Sequence, residues 1–162
     1  MKKLLSITLT TLLVLFASQA FGQTNTSEDV TINAEVVGQL SITTQQDLDF
    51  GTIPVNSSPS INANEDSDAV LLTIEGDNGD IGVSYDTSVS LEEGGNSITF
   101  TPSVVGDADD GNQSSASNVG NETNVTIADG NFYLWLGGDL SDVNEQGTYE
   151  GTIGFEVTYN TY

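Results

Sequence analysis

The amino-acid sequence predicts an all-β protein, an antiparallel β-sandwich of immunoglobulin-like type. Three observations carry that prediction. The closing stretch Tyr149–Tyr159 sets Tyr149, Ile153, Phe155, Val157 and Tyr159 on alternate positions, with polar residues and glycines between them. Period two with β-branched and aromatic residues marks a strand with one buried face. Short runs of the same kind recur along the chain between Gly-, Asn- and Asp-rich turns, and outside the first 22 residues no stretch holds a helical period. Many short strands with regularly spaced turns mean a sandwich or a barrel.

The first 22 of the 162 residues read as a signal peptide. Lys2-Lys3 is a basic start, Leu4 to Ala17 an apolar run, and Ser18, Ala20 and Gly22 are the small residues of a cleavage site. The run is short for a permanent membrane span, so export through the inner membrane is expected, to the periplasm, the cell surface or beyond. Residues 23–162 then form a single domain. With no cysteine, that domain relies on packing and strand pairing alone.

Strands are expected in order. Val30, Ile32, Ala34 and Val36 alternate; the phase then shifts at Gly38 and resumes with Leu40 and Ile42, as at a bulge. Asp47 to Pro54 reads as a short strand with Leu48 and Phe50 inward. Asn56 to Asp68 reads as a polar loop. Residues 69–86 read as a hairpin about Gly76-Asp77-Asn78-Gly79. Val89 and Leu91 precede a turn at Glu92 to Asn96. Ile98, Phe100 and Val104 mark a strand in which Pro102 suggests an edge or an end. Gly106 to Asn124 reads as a long flexible loop. Val125 to Ile127 and Phe132 to Leu136 frame Asp129-Gly130 as a second hairpin. The FYLWL run, Phe132 to Leu136, is apolar on both faces and is expected at the sheet centre.

Charge excludes several function classes. Lys2 and Lys3 are the only basic residues beside 24 acidic ones, for a net charge of −22. Removing the signal peptide leaves all 24 acids and no base, a side-chain charge of −24. Phosphate neutralisation needs Lys or Arg, so nucleic acid is not a partner. Without His, Cys, Lys or Arg the mature chain offers no Ser-His-Asp or Cys-His arrangement and no imidazole metal site. A carboxylate pair for glycoside hydrolysis arises by chance among so many acids and discriminates nothing. No enzyme is expected. The acids either solubilise the surface in a salty exterior or are cross-linked by divalent cations. For calcium, the one cofactor with a case, the densest group is Asp107, Asp109 and Asp110, whose glycine spacing does not match an EF-hand. Trp135 with Tyr133 reads as core or as a sugar-stacking platform.

Leu48-Asp49-Phe50-Gly51-Thr52-Ile53, Leu134 to Leu140 (LWLGGDL) and Gln146 to Thr152 (QGTYEGT) closing on Val157-Thr158-Tyr159 resemble the domain of unknown function 4402 family. That family groups with spore-coat-U-like and archaic chaperone–usher pilin domains. The resemblance spans Val30 to Tyr159, and the closing motif is its most specific part. Its relatives often carry a cysteine pair, which is missing here. The resemblance implies a sandwich completed by strand exchange in a bacterial surface fibre or coat. Partners would be copies of itself or related subunits, with a periplasmic chaperone. The donor candidates are then Val30, Ile32, Ala34 and Val36, and the acceptor candidates Ile153, Phe155, Val157 and Tyr159. The same alternations also suit strands that pair within one closed sandwich. In that case the chain is a self-complete binding or adhesin module using loop 106–124.

Overall fold

A computed structural model describes residues 38–160. These residues form ten antiparallel strands in two sheets, the all-β sandwich-like architecture expected. The strands are β1 (Leu40–Thr44), β2 (Ser60–Ile61), β3 (Val70–Gly76), β4 (Gly79–Tyr85), β5 (Val89–Glu93), β6 (Asn96–Asp107), β7 (Ser117–Asn118), β8 (Thr123–Ile127), β9 (Asn131–Ser141) and β10 (Phe155–Tyr159). The larger sheet runs β1-β3-β9-β6-β5, with β2 added to β9 and β7 to β6; the smaller runs β10-β4-β8.

Alternation decides which face each strand buries. Val70, Leu72 and Ile74 of β3 and Phe132, Leu134 and Leu136 of β9 line the inner face of the large sheet, joined by Ile98, Phe100 and Val104 of β6. Ile81 and Val83 of β4 and Ile127 of β8 face them from the small sheet. Ile74, Ile81, Val83 and Leu134 are wholly shielded from solvent. Apolar burial of this kind is the main favourable term available to a chain with no disulfide and, among the described residues, no cation to make an ion pair.

Neither expected hairpin forms. β3 and β4 are joined by only Asp77-Asn78 yet belong to different sheets, β3 lying between β1 and β9 and β4 between β10 and β8. β8 and β9 also part company around Asp129-Gly130, keeping only the bridge Ala128–Asn131. In both places the chain arches from one sheet to the other, so that the two apolar rows meet across the core instead of lying side by side. The arches are tied to each other. The Gly76 amide donates to the Gly130 carbonyl at 3.0 Å, and the Gly130 amide to Asn78 Oδ1 at 3.0 Å. β5 and β6 do form a hairpin, turning on Gly94-Gly95 with φ of 56° and 95°, values that glycine adopts freely.

β9 is central, as its two-faced apolarity implies, with β3 and β2 on one side and β6 on the other. Its outer face explains the second row of apolar residues. Trp135 packs there with Ile61, Ala63, Ala69, Val105 and Ala116 in a smaller core, flanked by Leu48, Phe50, Leu71 and Tyr133. Trp135 is therefore a core residue, not a stacking platform. Asp47 to Pro54 is not a strand; it drapes Leu48, Phe50 and Ile53 onto the core, with Phe50 meeting Phe100 edge to face at 5.9 Å. Nor does Pro102 end its strand. β6 continues through it, and Pro102 falls in the gap between the last residue paired to β5, Phe100, and the first paired to β7, Val105. On that flank no ladder partner asks for the amide hydrogen that proline lacks.

Candidate functional site: an open strand edge and two interlocked acidic loops

β10 pairs with β4 from Phe155–Tyr85 to Tyr159–Ile81. Among the described residues its other edge has no ladder partner, leaving alternate N–H and C=O groups of the closing strand available. Phe155, Val157 and Tyr159 are half-buried against the core, while Glu156 and Thr158 face outward. Two phenols fix the ends of this sheet. Tyr85 stacks at a tilt on Phe155 at 5.4 Å and donates its hydroxyl to the Val119 carbonyl at 2.8 Å. Desolvation by burial raises the Tyr85 pKa above its ordinary value. Tyr159 donates its hydroxyl to the Asp77 carbonyl, anchoring the closing strand to the first arch.

The acceptor row is thus brought together for Phe155, Val157 and Tyr159 but not for Ile153. The strand begins only at Phe155, because the residues before it serve another purpose. The segment 144–154 runs from the end of β9 beside β5, touching it through one bridge between Glu92 and Glu150, and packs Tyr149 and Ile153 onto the core. Gly154 then exchanges bonds with Asp86: its amide donates to Asp86 Oδ2 at 2.8 Å, and its carbonyl accepts from the Asp86 amide. The donor candidates Val30, Ile32, Ala34 and Val36 lie outside the described residues. β1 and β8 each have a ladder partner on one flank only among the described residues.

The two polar stretches do not behave as loose loops. Ser60–Ile61 forms β2 against β9, and Ile61 and Ala63 are buried. Gln113–Ser115 makes a single 3-10 turn, Ser117–Asn118 forms β7 on β6, and Ala116 and Val119 are buried. Two amide side chains then lock one stretch to the other. Asn64 Nδ2 donates to the carbonyls of Gln113 and Ala116, both at 3.0 Å. Gln113 Nε2 donates in return to the carbonyls of Ala63 at 2.9 Å and Asp66 at 3.0 Å. The pair forms a lid over Trp135. Sequence reasoning missed it because nothing local marks an amide whose partners lie about 50 positions away. The buried residues Ile61, Ala116 and Val119, spaced through otherwise polar sequence, were the available signal.

Asp107, Asp109 and Asp110 sit on this lid. Asp107 Oδ1 accepts from the Asp109 amide and from Asn112 Nδ2, and Asp109 Oδ1 from the Gly111 amide, so two of the carboxylates shape their own turn. Among the described residues no group of three or more acidic side chains is placed to hold a metal ion. Among the same residues no helix is long and apolar enough to cross a membrane. No protein-family model matches the chain, and no curated protein matches it.

Proposed function

We propose that this chain is an exported, non-enzymatic structural subunit of a bacterial surface fibre or coat, and that copies join by β-strand donation. The observation that carries this reading is the closing strand. Among the described residues β10 offers one whole edge, Phe155 to Tyr159, in a three-stranded sheet, with its alternate apolar residues only half-buried. An added strand would gain backbone hydrogen bonds along that edge and cover the row Phe155, Val157 and Tyr159. The alternating segment Val30–Val36, just ahead of β1, is the donor in this reading, and the resemblance to the pilin-like domains points the same way. The absence of Lys, Arg and His in the mature chain removes most routes to catalysis.

The test is the molar mass of residues 23–162 by size-exclusion chromatography with light scattering, beside a chain starting at Val37. Strand donation gives a ladder of multiples that withstands dilution and detergent without boiling, and the shorter chain stays folded but monomeric. A sharp monomer for residues 23–162 overturns the proposal. The second reading, a self-complete binding module, is favoured by the interlock that fixes the exposed turn Ala108 to Asn112 on a stretch anchored by buried Ala116 and Val119. A monomer whose shortened form unfolds supports that reading.

A further inference from the structure

Segment 144–154 is held by hydrogen bonds at both ends and by the packing of Tyr149 and Ile153 on the core, with little of a ladder between. At one end the Val143 carbonyl accepts from the Asn56 amide at 2.6 Å; at the other is the Gly154–Asp86 exchange. Between them its ladder contact is the bridge at Glu150, where the Glu92 amide donates to the Glu150 carbonyl at 2.9 Å and the Glu150 amide returns a bond to the Glu92 carbonyl at 3.5 Å. Two glutamates thus stand directly opposite each other, the pairing that antiparallel strands disfavour. Glu93 and Glu145 are the nearest carboxylates in sequence, Ser97 of β6 is the residue opposite Glu92, and Ser90 Oγ bonds Glu92 Oε1. No cation exists in the described chain to offset the pair. The backbone approach is nonetheless tight: a Cβ at Gly151 would meet the Leu91 side chain and the Ser90 carbonyl. A segment shaped to lie against β5 therefore carries like charges at its one ladder contact.

We infer that residues 144–154 form a charge-gated strap over the edge of β5, which repulsion between Glu92 and Glu150 loosens and which counter-ions close. In dilute salt the strap lifts from the Val89–Glu93 edge more often; at high ionic strength it covers that edge for more of the time. The inference stands whether or not subunits exchange strands.

Amide hydrogen exchange at Glu92, followed in the full chain by NMR, tests this. Like charges directly opposite on neighbouring strands are destabilising, so Glu150→Gln in 10 mM salt raises Glu92 protection, by about 1.5- to 5-fold if the repulsion is comparable in size to a favourable cross-strand pair. Glu92→Gln, read at the Leu91 and Glu92 amides, does the same, and the double variant gains no more than either single change, because the repulsion vanishes with the first. Wild type in 500 mM NaCl approaches the protection of the variants. Unchanged protection in Glu150→Gln overturns the inference. So does a gain of equal size from Glu156→Gln on β10, or full additivity in the double variant, since either would mean a diffuse effect of net charge and not a gate at the bridge.

Discussion

Replacing Asn64 with alanine cuts one half of the lock between the two polar stretches. The side chain donates two hydrogen bonds, to the carbonyls of Gln113 and Ala116, each at 3.0 Å and partly shielded from water. A hydrogen bond of this kind contributes about 0.5–1.5 kcal/mol net, so the loss is about 1–3 kcal/mol. For a domain of this size a kilocalorie shifts Tm by roughly 3 °C, which puts the fall at about 3–9 °C. Gln113→Ala removes two bonds in the reverse direction and has a similar cost. Because the two amides hold the same pair of segments, the double variant costs less than the two single changes added together. Thermal unfolding followed by circular dichroism gives the first number. Exchange protection at the Val119 amide, which donates to the Val104 carbonyl, shows whether the lid itself has loosened. If both single variants melt within about 1 °C of wild type and Val119 stays equally protected, residues 107–119 do not owe their order to this lock.

Three further outcomes are expected. Leu134 is wholly shielded at the centre of the core, so Leu134→Ala lowers the unfolding free energy by about 2–5 kcal/mol, measured by urea titration. Burial favours the neutral phenol of Tyr85; its contribution is intact below pH 10 and is lost as pH climbs through the raised folded value. The urea midpoint of wild type therefore falls more steeply above about pH 10 than that of Tyr85→Phe, and parallel slopes would dismiss the idea. Finally, residues 38–160 hold no Lys, Arg or His to offset their acids, so the fold gains stability from screening. Its Tm rises by a few degrees between 10 and 150 mM NaCl, as the Debye length shortens from about 30 to 8 Å.

The inward rows of β3, β4, β6, β9 and β10 were legible because alternation is a local property and burial of one face enforces it. The central place of β9 was legible for the same reason, since Tyr133 and Trp135 between Phe132, Leu134 and Leu136 leave no polar face. Sheet membership was not. The short connections Asp77-Asn78 and Asp129-Gly130 suit a hairpin as well as an arch, and the choice falls to ladders made with strands remote in sequence. Ile153 illustrates a different limit: it continues the period of Phe155 and Val157, yet the bridge at Glu150 and the Gly154–Asp86 exchange hold it outside the ladder. Of the candidate site, the apolar row on β10 was readable, whereas the lock between Asn64 and Gln113 depends on partners that only the folded chain brings together.

The two arches also bear on how the protein reaches its fold. Since β3 and β4 enter different sheets, and β8 and β9 do likewise, neither sheet can be zipped from neighbouring hairpins. β5–β6 supplies one local ladder closed by a two-residue turn, while β1–β3, β3–β9, β4–β8 and β4–β10 join residues tens of positions apart. Non-local ladders incur loop-closure entropy before they return any binding energy, and folding slows accordingly. β10 is the last of the described strands in chain order, and its partner β4 lies about 70 positions earlier. Until β10 docks, the β4 edge that it covers lies open to pairing with another chain, which makes a partly folded molecule sticky.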